Sequence, residues 1–322
     1  MYNIQQLGKP EQITQLQQPS WLFTSGSEKK RINLIALGDV GQTVAMALKL
    51  LGSDCLSTIG VYDINQNAAI RLELELNQIH EPFSYNAFPN VQVISEDQLF
   101  NCEILAFCAS KGIPPLDSNV ADVRMIQYEA NKSIISLYAK MAVQQHFQGL
   151  FAVISDPVDP LCKAAFRAAS GKLHPNQIQG YGLGVMNARA AYYAKKDPKF
   201  ASFLQEGRAF GPHGQDLIIA NSIEHYDEAL SLELTQLTVD ANLEVRKCGY
   251  KPYLAPAISS AALSLLRTIK GEWHYSSNYL NGVYFGSLNQ TKHDGLEWEV
   301  LDLPQPLFQR LQTAYQNLEA IK

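Results

Sequence analysis

From Arg31 onward the chain alternates short apolar runs with stretches in which apolar residues recur every three to four positions. The first pattern predicts strands and the second predicts helices, since these spacings put apolar side chains on buried faces. INLIAL reads as a strand, a tight turn follows at Gly38 to Gly41, and AMALKLLG continues as a helix. Further strands are expected at STIGVYD, which ends at Asp63, at VQVI from Val91, at EILAFCA (103–109) and at LFAVI (150–154). Helical stretches separate them, the longest running from Asp122 to Gln145. This alternation predicts an α/β fold with a doubly wound parallel sheet.

After about residue 160 the pattern is less regular. QIQGYG, VMNARAAYYAKK, a helical run from Ser222 to Cys248 and YLAPAISSAALSLLRTI lead into a strand-like block, NYLNGVYFGSLNQTKHDGLEWEVL, and a last amphipathic helix, PLFQRLQTAYQNLEAI. We therefore expect three parts: an arm over 1–30, a parallel-sheet domain over 31–160 and a mixed α+β domain over 161–322. The arm is Gln-rich and polar, carries Pro10 and Pro19, and ends in Ser25-Gly26-Ser27, so it lacks the pattern of a core element. Its exception is Trp21-Leu22-Phe23, which fits either a clip onto the chain's own body or a contact in an oligomer.

Composition narrows the function classes. Lys and Arg number 26 against 31 Asp and Glu, for a net charge of −5 without a long like-charge block, so nothing marks a nucleic-acid surface. The five cysteines, Cys55, Cys102, Cys108, Cys162 and Cys248, form no CxxC pair and read as buried, reduced thiols, with neither a disulfide framework nor a metal site expected. No apolar window reaches the roughly 18 residues of a membrane span, and the N-terminus does not read as a targeting segment, so a cytoplasmic protein is expected.

The candidate chemistry begins in the first turn, Ala36-Leu37-Gly38-Asp39-Val40-Gly41. It matches a dinucleotide fingerprint whose first glycine is alanine. In such a turn the middle glycine admits a pyrophosphate, the helix start offers N–H groups and positive dipole, and the last glycine permits close packing. Asp63 lies at the next strand end, about twenty residues on, where an acid accepts from ribose hydroxyls and repels a 2′-phosphate. The reading is NAD rather than NADP, with a strand-end helix cap as the plainer role for Asp63. Ser110 to Asp122 is polar and Pro-rich and follows a strand's carboxyl end, which suits a lid. His213 sits in Gly211-Pro212-His213-Gly214, where flanking glycines leave an imidazole accessible for acid/base work.

In their order these residues resemble the lactate/malate dehydrogenase family over nearly all of the chain from Arg31. Asp156-Pro157-Val158-Asp159 is similar to the family's Asn-Pro-Val-Asp motif, the His213 turn to its Gly-Glu-His-Gly, and Tyr253 to Ser259 to a Tyr-Ala-Pro-Ala-Ala-Ser segment. The resemblance implies a Rossmann domain holding NAD at Gly38, Val40, Gly41, Asp63 and Asp156, followed by a substrate domain. It also implies hydride transfer between NAD and a 2-hydroxy acid, within a homodimer or homotetramer. His213 would exchange the substrate proton. Arg189, which lies 24 positions earlier, would hold the substrate carboxylate, and Arg124, seven before Asn131, would close with the lid.

The departures are specific. Where the family has an aspartate three residues before the carboxylate-binding arginine, this chain has Met186, with Asn187 beside it. A small shift would let Asn187 meet the His213 ring, without charge. Asp156 replaces the family's asparagine and is the other candidate for the orienting carboxylate. Six positions before Arg124, where the family's dicarboxylate enzymes carry a second arginine, stands Ser118, which disfavours malate. Two functions from different classes follow: an NAD-dependent 2-hydroxy acid dehydrogenase, or a catalytically impaired relative that keeps the fold for a regulatory or structural role.

Overall fold

The computed structural model describes residues 2–9, 28–111, 123–292 and 295–321. Its first half contains β1 (Lys30–Ile35), α1 (Asp39–Leu51), β2 (Leu56–Tyr62), α2 (Gln66–Leu76), β3 (Asn90–Val93), β4 (Ile104–Phe107), α3 (Val123–Gln144), β5 (Leu150–Val153) and α4 (Val158–Ala168). The second half contains β6 (Ile178–Gly180), α5 (Leu183–Lys196), α6 (Phe203–Glu206), β7 (Arg208–Phe210), β8 (Ile218–Ala220) and α7 (Glu228–Lys247). It ends in α8 (Leu263–Lys270), β9 (His274–Leu280), β10 (Val283–Lys292), β11 (Gly295–Trp298) and α9 (Gln305–Ala320).

Nine strands form one sheet in the order β11-β10-β9-β6-β5-β4-β1-β2-β3. From β3 to β6 neighbouring strands pair in parallel, while β9, β10 and β11 add antiparallel pairs, joined where Gly180 of β6 faces Ser277 of β9. The fold is thus the α/β type expected, a Rossmann-like parallel sheet continued by a mixed region.

Alternation along the strands builds a core on each face of this sheet, because successive strand side chains point to opposite sides. Leu34 and Ala106 pack with Val44, Ala45 and Leu48 of α1. Their neighbours Ile35, Leu105 and Phe107 pack instead with Tyr128, Ile135 and Tyr138 of α3 and Leu161 of α4. Helices therefore cover both faces.

Two placements differ from the sequence pattern. A π-helical turn at Pro256–Ala262 leads into α8, and Ala257, Ala261, Leu265 and Leu266 join the core under α1, so this late segment completes the first half. Residues 2–9, read above as part of a polar arm, are in fact anchored: Ile4 and Leu7 are buried in the core beneath α9, and Tyr2 stacks on Phe308. Burying those two side chains contributes about 1.5–3 kcal/mol each, which outweighs a local glutamine-rich composition. Trp21, Leu22 and Phe23 lie outside the described residues. No helix among those described is long and apolar enough to cross a membrane. The cysteines are free thiols; Cys162 is buried as expected, but Cys55, Cys102 and Cys108 are only half-buried and Cys248 is exposed at the end of α7.

Candidate active site

At the carboxyl edge of the parallel strands, the chain leaves β1 through a strained turn. Ala36, at the place where the fingerprint has its first glycine, adopts φ 70°, in the left-handed region that a Cβ disfavours. Gly38 then caps α1, and among the described residues a Cβ built there would meet nothing within 4 Å beyond its chain neighbours. Gly41 is the opposite case, since its Cβ would drive into the Ala36 carbonyl oxygen. One glycine keeps open space at a helix start and the other closes the helix onto the strand. Val40 packs against the core behind them.

Asp63, just beyond β2, braces this turn. Its Oδ2 accepts from the Leu37 N–H at 2.7 Å and its Oδ1 from the Asn65 N–H at 2.8 Å. Each carboxylate oxygen can accept a second hydrogen bond, so acceptor capacity toward a ribose remains. Open space at the amino end of a 13-residue helix, with an acid at the adjacent strand end, fits the expected dinucleotide. Asp39 adds a negative charge at this helix start, and Lys251 pairs with it at 2.9 Å.

The second group of residues comes from the end of β5, from the turn of a separate two-stranded sheet formed by β7 and β8, and from α5. After β5 comes Asp156, and α4 begins two residues later with Pro157 as its cap. Between β7 and β8, Gly211 and Gly214 hold φ values of 84° and 136° that suit glycine, and they bracket His213. The turn folds back so that His213 Nδ1 lies 2.9 Å from Asp156 Oδ1. Asp159 fixes the main chain of the same residue, its Oδ2 accepting from the His213 N–H at 3.1 Å, while Ser277 Oγ donates to Asp159 Oδ1. Burial pushes the Asp159 carboxyl up, and the bonds from Ser277 and His213 pull it back. His213 Nε2 is enclosed and has no hydrogen-bond partner among the described residues.

Arg189, from α5, completes the group. One nitrogen donates to Asn242 Oδ1 on α7 and the other reaches Met186 Sδ at 3.6 Å. Burial lowers its pKa, while the nearby Asp156 charge and Tyr193 act in the opposite direction. An arginine in this setting stays charged, and its fork suits a carboxylate. The structure therefore brings together Asp156, His213 and Arg189.

Asn187 does not take the place suggested for it at the ring. Among the described residues, Nδ1 of the His213 ring pairs with Asp156 and Nε2 has no partner. Met186, which holds the family's aspartate position, is buried against the core of the second half. Arg124 falls in the first turn of α3, but its side chain and residues 112–122 of the expected lid, Ser118 among them, lie outside the described residues. The lid's start is held by Asn131, whose Oδ1 accepts from the Lys111 N–H and whose Nδ2 donates to the Asp156 carbonyl, both at 2.8 Å.

Sequence reasoning missed Asn131, Asp159, Ser277 and Asn242 as parts of the site. Asn131 and Asp159 had a signal, each being a polar residue on the buried face of a helix. Ser277 and Asn242 had none, because each acts across more than fifty residues. Away from this group, ligand atoms of Glu206, Glu224 and His225 come within 4.8 Å of one another at the surface, with Glu206 already accepting from Ser222.

The sheet order, the glycine turn and the clustered acid, histidine and arginine at one sheet edge define a Rossmann-type α/β protein with a small polar site. No family model matches the sequence. It is 26% identical over 196 residues to the L-lactate dehydrogenase of Treponema denticola, a match spanning 61% of this chain and 58% of that enzyme's length. It is 24% identical over 275 residues to the malate dehydrogenase of Sulfurimonas denitrificans, covering 80% of this chain and 82% of that one. Among solved structures, the malate dehydrogenase of Archaeoglobus fulgidus in complex with NADH superposes with a TM-score of 0.73 at 18% identity, over 90% of this chain and 98% of that one. The chain is thus similar in sequence to lactate and malate dehydrogenases and shares the fold of such an enzyme over 90% of its length.

Proposed function

We propose that this protein is an NAD-dependent dehydrogenase that interconverts a 2-hydroxy acid and a 2-oxo acid, with Asp156 supplying the carboxylate that the family draws from the Met186 position. The observation that carries the reading is the 2.9 Å contact between Asp156 Oδ1 and His213 Nδ1, in the electrostatic field of Arg189. A histidine and carboxylate in hydrogen-bond contact make an acid/base pair for a hydroxyl proton. Arg189 would bind the substrate carboxylate, and Arg124 would approach with the lid. Gly38, Val40 and Gly41 would hold the dinucleotide's pyrophosphate through their backbone and Asp63 its adenine ribose, while Asp156 lies beside the nicotinamide end. The bound nicotinamide supplies the hydride chemistry. Ser118 in place of a second arginine argues against malate.

The substrate is a small acid, and the setting we propose is cytoplasmic. A homodimer or homotetramer is supported by exposed apolar side chains on adjacent helices, Met46 and Leu50 on α1, Ile70 and Leu74 on α2, and Leu263 on α8. A non-catalytic role is less supported, because its main argument, a His213 without a carboxylate, does not apply. The test is direct: the purified full chain is assayed with NAD and NADP against a panel of 2-hydroxy and 2-oxo acids. Oxidation or reduction of NAD(H) on one of them is expected, and no reaction across the panel would reject the dehydrogenase reading.

A further inference from the structure

We propose that Asn242 is the positioning residue for Arg189: it aims the guanidinium at the substrate carboxylate and, being neutral, leaves that charge for the substrate. The assignment of a carboxylate to Arg189 rests on the dehydrogenase reading above. The two residues stand 53 positions apart, Arg189 on α5 and Asn242 toward the end of α7, and their contact is half-buried. The two helices share one core, in which Met186 and Ala190 of α5 pack with Leu234 of α7. That packing holds the helices at a fixed spacing, so an amide on one meets a guanidinium on the other.

Both side chains that hold the guanidinium are uncharged. One terminal nitrogen donates to Asn242 Oδ1, the other reaches Met186 Sδ at 3.6 Å, and no acid among the described residues forms an ion pair with it. A thioether is a weak acceptor, so the amide oxygen is the stronger tie. Burial draws the arginine's pKa down, as it does for any cation moved out of water without a bonded anion. A cation in that state gains most from an anion that a ligand brings.

Asn242 therefore acts on binding in two ways. It removes the freedom of a long side chain before the acid arrives, and so lowers the entropy lost when the complex forms. It does this without charge. A carboxylate at the same place would engage the fork through paired N–H groups and compete with the carboxylate of the substrate.

The experiment compares Asn242→Asp, Asn242→Ala and the unmodified protein, each as the full chain. Melting temperature is measured first, then calorimetric binding of NADH, then binding of oxalate, an unreactive carboxylate probe, to the NADH complex. KM and kcat follow, with the 2-oxo acid that the unmodified protein reduces fastest. In Asn242→Asp the affinity for oxalate should fall at least about 10-fold, the weight of one hydrogen bond to a charged group, and KM should rise by a similar factor with a smaller change in kcat. The loss in Asn242→Ala should be smaller, since alanine frees the fork without offering it a rival charge, and NADH affinity should be unaltered in both. Stability should run in a different order: Asn242→Asp should melt no lower than the unmodified protein, because its charge meets a waiting partner, whereas Asn242→Ala should melt lower. A tie that served only the fold would move stability without this effect on oxalate. Unchanged oxalate affinity in Asn242→Asp, or a fall in kcat with KM unchanged, would overturn the proposal. Oxalate binding without turnover of any acid by the unmodified protein would reject the dehydrogenase reading, and the order of the three affinities would still decide the part of Asn242. Turnover without oxalate binding would overturn the proposal and leave the dehydrogenase reading standing.

Discussion

Asp159 holds His213 by its main chain, not by its ring, and does so from full burial, with Ser277 on its other oxygen. The carboxylate therefore satisfies two groups in the interior and sets the turn on which the ring is mounted. Asp159→Ala would strand the His213 N–H and the Ser277 hydroxyl, at about 1–3 kcal/mol for each unsatisfied group. We expect a loss of about 2–4 kcal/mol in urea denaturation, with a smaller loss in Asp159→Asn, which keeps one acceptor oxygen. Stability within 1 kcal/mol of the parent in the alanine variant would show that the tie is dispensable.

The two glycines of the first turn should respond differently. Gly41→Ala places a methyl group against the Ala36 carbonyl oxygen, so both folding stability and dinucleotide binding should fall. Gly38→Ala places its methyl group in open space, so the melting temperature should change little while NAD affinity measured by calorimetry drops at least 10-fold. Equal NAD affinity in Gly38→Ala and the parent would mean that this space is not where the pyrophosphate sits.

Ala36 offers a gain. A left-handed conformation costs an L-residue about 1–2 kcal/mol, and glycine removes that cost while adding about 0.4–1 kcal/mol of unfolded-chain entropy. Ala36→Gly should therefore stabilise the protein by up to about 1 kcal/mol, read as a rise in the denaturation midpoint. A clear destabilisation would contradict the φ of 70°.

Acid should weaken the fold through His274. Its ring is buried between Thr268 and the Glu272 carbonyl, and burial lowers its pKa from 6.5 to about 4. Between those values the unfolded chain binds a proton that the folded chain refuses, so stability falls as pH drops through this window, by at most about 1.4 kcal/mol per pH unit. His174, lowered in the same direction by burial, adds to the effect. Denaturation midpoints from pH 7 to pH 4 should show this slope, and His274→Gln should flatten it. An unchanged slope in that variant would assign the acid sensitivity elsewhere.

Local pattern was sufficient for the parts whose geometry is local. The run from Ile32 to Asp63 encodes strand, turn, helix and strand in consecutive residues, and each appears where hydrophobic spacing places it. The anchoring of Ile4 and Leu7 was not readable, because their partners lie in α9, about three hundred residues away. Nor was the docking of Ala257 to Leu266 under α1, since an apolar helix face does not name the face it will meet. The contact between Asp156 and His213 spans 57 residues. Family motifs placed both residues near one site, but only the fold decides which side chain reaches the ring.

The unbroken sheet has a thermodynamic consequence. β6 pairs with β5 on one side and meets β9 on the other, and the segment before α8 fills the core under α1. The core of the first half does not close without residues of the second. Heating should therefore give a single calorimetric transition whose van't Hoff and calorimetric enthalpies agree, rather than the two steps that separable domains would produce.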